Sequence, residues 1–125
     1  MISNILWVGI GGFVGSVLRY LVSVAIIALG LNTTFPVATL TVNIAGSLLI
    51  GMLLELLGGN ALYYLLITGF CGGFTTFSTF SADTFSLLDT GRYLAALGNI
   101  LLSVTVCLAA VWLGTLLGTR INMLK

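Results

Sequence analysis

GFCGGFTTFSTFSAD, residues 69–83, lies in the middle of an otherwise oily segment, and its reading decides the fold. Paired glycines are followed by hydroxyls interleaved with phenylalanines, where the flanking residues predict only hydrocarbon. Backbone groups freed inside a bilayer cannot bond to water, so a helix break there survives only if it is buried in protein or lines a hydrated path. The stretch reads as a transport element set into a membrane span.

The rest of the chain fits a membrane setting. Of its 125 residues 59% are hydrophobic and 6% charged, against roughly 25% charged residues in a soluble domain. Four apolar spans, at about 5–29, 36–57, 62–88 (broken near 72–76) and 93–118, use almost all of the length, so a single all-α transmembrane domain is expected. Four short helices bury little between them, which points to oligomerisation. The net charge of +1 argues against a nucleic-acid partner and a polybasic lipid-binding tail. There is no histidine to shuttle protons or bind metal. With so few acids as well, no nucleophile and base pair can be assembled, so an enzyme is not expected. Cys71 and Cys107 sit inside spans and read as small packing residues rather than a disulfide. The first hydrophobic stretch is too long for a signal-peptide core and has no basic flank, so it is read as part of the mature protein.

In the first span, Gly11 with Gly15 and Gly12 with Ser16 form small-xxx-small pairs that admit a close neighbouring backbone. Arg19 follows on the same face, about 21 Å along the helix. It is either a snorkelling anchor or a group tucked into the protein, where it attracts an anion into a vestibule. Residues 30–36 form a polar link, and Pro36 suits the first turn of the next helix. Thr39, Asn43, Gly46 and Ser47 then share one face of the second span. Asn43, about 10 Å deep, either bonds a neighbouring helix or, with Thr39 and Thr41, lines a path. Glu55 lies near the far interface.

The third span reaches Gly72 and Gly73 after about 15 Å, half of the hydrocarbon thickness. A second half-helix can restart at Thr75 or Thr76. Phe77 and Phe80 then share a central face, and Asp83 is a peripheral, vestibular or interfacial acid. The two rings are either core packing or partners that turn their positive edges to an anion alongside the hydroxyls of Ser78 and Thr79. Residues 89–92 make the next turn. The fourth span places Asn99, Ser103, Cys107, Ala110, Gly114 and Gly118 on one small-residue face. Ser103 is near the midplane, where it bonds its own i−4 carbonyl or faces the path.

Four spans put both termini on one side with Arg120 and Lys125, and leave Arg92 and a snorkelling Arg19 on the other. Two charges against two give almost no orientation bias. Copies inserted both ways would pair as an antiparallel, dual-topology homodimer, an inverted repeat made from separate chains. Their broken spans would cross near the midplane, where the carbonyls of Gly72 and Thr75 could hold a small hard cation. The neutral polar groups around the break suit an ion that must be bound weakly enough to leave.

Three segments carry a resemblance: GGFVGSVLRY at 11–20, TLTVNIAGSLLIG at 39–51, and the opening stretch. In order and spacing they resemble the signature segments of the Fluc (CrcB) family of small fluoride channels. The resemblance implies an antiparallel dual-topology homodimer with two pores, passing fluoride passively out of a bacterial or archaeal cell across its membrane. By position, Phe77 and Phe80 match the family's pore-lining aromatic box and Asn43 its pore asparagine. Ser78 and Thr79 match its polar track, with Thr39 a further member and Ser103 the match to a pore serine of the fourth helix. The carbonyls of Gly72 and Thr75 match a central structural sodium site, and Arg19 the first-helix arginine. Asn99 stands where some members carry a tyrosine. Two alternatives remain: a small dual-topology multidrug exporter, which needs a membrane-embedded carboxylate that the first span lacks, and a structural membrane assembly subunit, which leaves the hydroxyl-lined break unexplained.

Overall fold

The computed structural model describes residues 1–31 and 34–124. Asn32 and Thr33 of the expected link, and the terminal Lys125, lie outside the described residues. Helix α1 is Ile2–Ala28 and α2 is Val37–Leu56. The third span opens as a π-helix, Tyr63–Cys71, and passes directly into one α-turn, Gly72–Phe74; together they form α3. After an interruption come α4, Phe77–Asp89, and α5, Tyr93–Met123. Among the described residues four helical segments, Ile2–Ala28, Val37–Leu56, Tyr63–Asp89 and Tyr93–Met123, are long and apolar enough to cross a membrane. The chain is a multi-pass membrane protein. Its all-α architecture follows from the solvent: in hydrocarbon a single segment can satisfy its own backbone only as a helix.

Two turns between spans are glycine-closed. Gly30 after α1 has φ +70° and Gly91 after α4 has φ +72°, a backbone region that glycine enters without a Cβ penalty. In each, the glycine N–H and the next residue's N–H return to the helix end: Gly30 to Ile27 and Leu31 to Ile26, Gly91 to Leu88 and Arg92 to Leu87. Both are Schellman motifs, which absorb carbonyls that would otherwise be orphaned.

Packing between spans runs through two seams of small residues. Gly11 and Gly15 of α1 are buried against the backbone of α3 at Leu65 and Phe70. From the other side, a Cβ on Gly69 would stand 2.8 Å from the Val8 carbonyl, and one on Gly73 would stand 2.5 Å from that of Gly12. The expected α1 seam is therefore real, and its partner is the first half of the third span. The second seam joins α2 to α5, with Gly51 against Val111 and Gly114 against Leu48. Of the small-residue face expected on α5, Asn99, Ala110, Gly114 and Gly118 are buried. Ser103 and Cys107 are half-buried and border a groove.

The break falls later than the paired glycines suggest. Gly72 and Gly73 are helical, and the extended residues are Thr75 (ψ 160°) and Thr76 (φ −152°, ψ 115°). Gly73 serves close packing, whereas β-branched threonines with hydroxyls that compete for backbone partners leave the helix. The Thr75 hydroxyl donates back to the Cys71 carbonyl at 2.8 Å and ends α3.

Candidate functional site

The site grows from a clamp between α2 and the break. Asn43 Oδ1 accepts the Thr76 N–H at 2.7 Å, and Asn43 Nδ2 donates to the Thr76 carbonyl at 3.0 Å. One amide side chain thus satisfies both backbone groups of an extended residue within the membrane, where leaving them unpaired costs several kcal/mol. Thr76 in turn caps α4: its Oγ1 accepts the Thr79 N–H at 3.1 Å.

These two bonds also decide which carbonyls are free. In a continuous helix the Thr76 N–H would bond the Gly72 carbonyl, and the Thr79 N–H that of Thr75. Both donors are drawn elsewhere, so the carbonyls of Gly72 and Thr75 are released. Nothing crowds the position of a Cβ at Gly72 within 4 Å, which leaves that face open. The released oxygens are the donor type that a hard monovalent cation takes.

Beside the clamp lies an open groove of about 520 Å³. Asn43, Phe77, Phe80 and Ser103 all line it, together with Ser47 and Thr68. None of the residues lining it is charged. The Phe77 and Phe80 rings stand 5.4 Å apart between centroids, tilted by 46°. Phe80 is half-buried, but Phe77 is 79% exposed and projects from the chain. Only one of the two protons on Asn43 Nδ2 is used by Thr76, so the amide keeps a second for the groove. Ser103 Oγ lies at a long 3.5 Å from Asn99 Oδ1, which leaves its proton loosely held. Asn99 itself is 1% exposed and donates to Thr84 Oγ1 at 2.9 Å, and Thr84 donates to the Phe80 carbonyl at 2.7 Å. A buried amide stands here, and it fastens α5 to the helix that carries Phe80.

A second cavity of about 240 Å³ opens between α1, α2 and α4. Arg19, Ser16, Thr39 and Thr79 line it, and Thr76 belongs to its wall as well as to the groove. Arg19 Nε is buried without a hydrogen-bond partner among the described residues. Thr39 Oγ1 donates to Asp83 Oδ2 at 2.6 Å, so the acid expected to be peripheral is tied to α2. The residues singled out from the sequence thus divide: Asn43, Phe77, Phe80 and Ser103 meet in the groove, whereas Arg19, Thr39 and Thr79 meet in the cavity beside it. Ser78 is exposed on the same turn and bonds Thr76 Oγ1.

Residues 6–115 match the profile of the family described as CrcB-like protein, Camphor Resistance (CrcB). The chain belongs to the CrcB family. It is 47% identical over 124 residues to the "Fluoride-specific ion channel FluC" of Coxiella burnetii, a match that covers 94% of this chain and 99% of that protein. A protein of the same name from Methanococcus maripaludis is 49% identical over 117 residues, covering 90% of this chain and 93% of its own. "Fluoride-specific ion channel FluC 1" of Rhodopseudomonas palustris is 48% identical over 122 residues, with 92% and 86% covered.

In this CrcB-family chain, three site residues escaped sequence reasoning. Ser47 shares the Asn43 face of α2 without a pattern that marks it for a role, and Thr68 carries no local signal at all. Thr76 was legible in principle, since a threonine three residues ahead of Thr79 at a helix start is an N-cap pattern.

Proposed function

We propose that this chain forms a fluoride-selective channel that passes the ion passively out of a bacterial or archaeal cell across the cell membrane. The observation that carries the reading is the neutral groove built on the Asn43–Thr76 clamp, which offers O–H, N–H and ring-edge donors with no carboxylate and no cation. The names of the relatives, which are those of channels and not of enzymes, point the same way.

Arg19 draws the anion into the vestibule cavity, where Thr79 and then Ser78 take it up. It moves on along Asn43 and Ser103, past the positive edges of Phe77 and Phe80. Fluoride is favoured over chloride because a small anion forms stronger hydrogen bonds with rigidly held donors, which repay its dehydration in a narrow lumen. Thr39 stands in the same vestibule and holds the Asp83 carboxylate.

The functional unit is an antiparallel homodimer. The two-against-two charge balance supports it, as do an exposed Phe77 and a groove that one chain leaves open. At its centre the carbonyls of Gly72 and Thr75 suit a structural sodium ion, whose charge would fix the four broken helix ends in place. Residues released by two specific hydrogen bonds fit that role.

The test is efflux from liposomes that hold the purified protein, with potassium and valinomycin clamping the voltage. Rapid fluoride efflux with no chloride movement is expected. Silence toward both anions in dimeric protein, or equal passage of the two, overturns the proposal.

A further inference from the structure

Thr76 is 9% exposed and lines both the groove and the vestibule cavity. A hydroxyl has one proton and two lone pairs, so three hydrogen bonds exhaust it. All three are in use. Thr76 Oγ1 accepts the Thr79 N–H at 3.1 Å, donates to Thr79 Oγ1 at 3.0 Å, and lies 3.2 Å from Ser78 Oγ. Since the only proton of Thr76 goes to Thr79, Ser78 is the donor in the third bond. The two neighbouring hydroxyls, alike in the sequence, therefore differ in state. The Ser78 proton is spent on Thr76, whereas among the described residues nothing accepts the proton of Thr79, which lines the cavity with Arg19.

We propose that Thr76 is a positioning residue that ranks the two donors, keeping Thr79 ready for an arriving anion and holding Ser78 back. This deepens the fluoride-channel reading and rests on it. An ion in the vestibule meets the free Thr79 O–H first. To engage Ser78 it must take that hydroxyl from Thr76, so one hydrogen bond is lost as another is gained. The exchange is nearly balanced, which keeps binding weak enough for the ion to leave. No proton crosses between residues; only hydroxyls turn.

The experiment compares fluoride efflux for Ser78→Ala and Thr79→Val in three backgrounds: the natural chain, Thr76→Ser and Thr76→Val. In the natural chain Thr79→Val is expected to slow efflux about fivefold more than Ser78→Ala, the equivalent of one hydrogen bond. Thr76→Ser keeps the hydroxyl and retains that asymmetry, whereas Thr76→Val removes the hub and brings the two losses to within about twofold of each other. Equal losses in the natural chain, or an asymmetry that survives Thr76→Val, overturn the ranking. A purely structural Thr76 would lower all rates without changing their ratio. If Thr76→Val does not assemble, the natural and Thr76→Ser backgrounds still decide, because equal losses in both contradict the proposal. A natural chain that passes no fluoride removes the channel reading and this inference together, a result distinct from a conducting chain with equal losses.

Discussion

In the third span, α3 meets α1 backbone to backbone, with Gly69 and Gly73 set against Val8, Gly11 and Gly12. Beyond the break, α4 is held by polar side chains instead: Asp83 by Thr39, Thr84 by Asn99, and its capping residue Thr76 by Asn43. The first half has little choice of position, because glycine seams tolerate no shift of either backbone. The second half is held by hydrogen bonds, and it leaves the Thr79 hydroxyl and the Phe77 ring facing open space. The contrast teaches where a small membrane protein puts rigidity and where it puts chemistry: close packing fixes the scaffold, and a few satisfied polar groups hold the working element at its edge.

Breaking the scaffold half carries the largest expected effect. A side chain at Gly15 runs into the Phe70 carbonyl, which neither helix can move aside. Gly15→Leu is expected to cost about 3 kcal/mol or more and to abolish recovery of assembled protein, as read by size-exclusion in detergent. At Gly12 the nearest atom to a new Cβ is 3.9 Å away, so Gly12→Ala is expected to leave recovery unchanged. Equal damage from both would mean that the close approach of Gly15 to Phe70 is not what fixes α1 against α3.

Next comes the clamp. Asn43→Leu keeps the branched shape of the side chain but strands the Thr76 N–H and carbonyl in the membrane, a loss of about 2–4 kcal/mol. Protein is still expected to assemble through its glycine seams, with fluoride efflux reduced at least about tenfold. Normal efflux from this variant would show that the break holds itself open without α2. The smallest effect belongs to Asn99→Ala, which deprives Thr84 of a donor but leaves the bond from Thr84 to the Phe80 carbonyl. About 1 kcal/mol of thermal stability and a loss of efflux of about fivefold are expected. An effect as large as that of Asn43→Leu would move the weight of the second half from α2 to α5.

Much of the scaffold was legible in the sequence, because lipid leaves few options. Long apolar runs gave the four spans, and the spacing of Gly11 and Gly15 gave the α1 seam without showing its partner. The break was legible as a region but not as a residue. Glycines next to hydroxyls suggested that Gly72 and Gly73 open the helix, whereas Thr75 and Thr76 do so and Gly73 packs. The π-helix over Tyr63–Cys71 left no mark in the local pattern. The polar clamps were hidden for a different reason. Asn43 and Thr76 are 33 residues apart, and Thr39 and Asp83 are 44 apart, so no periodicity links them. Composition could say that an intramembrane asparagine needs a partner, but only the fold could say which one.

An ion that travels on the groove side of α4 passes one phenylalanine of that helix and not another. Phe80 lines the groove, and Phe85, at 67% exposure, does not. Fluoride efflux from liposomes is to be measured for Phe80→Ile and Phe85→Ile at matched amounts of folded, reconstituted protein. The expected result is a loss of efflux of at least about tenfold for Phe80→Ile, with Phe85→Ile indistinguishable from the natural chain. Unchanged efflux in a well-folded Phe80→Ile protein, or equal losses in the two, would contradict the account.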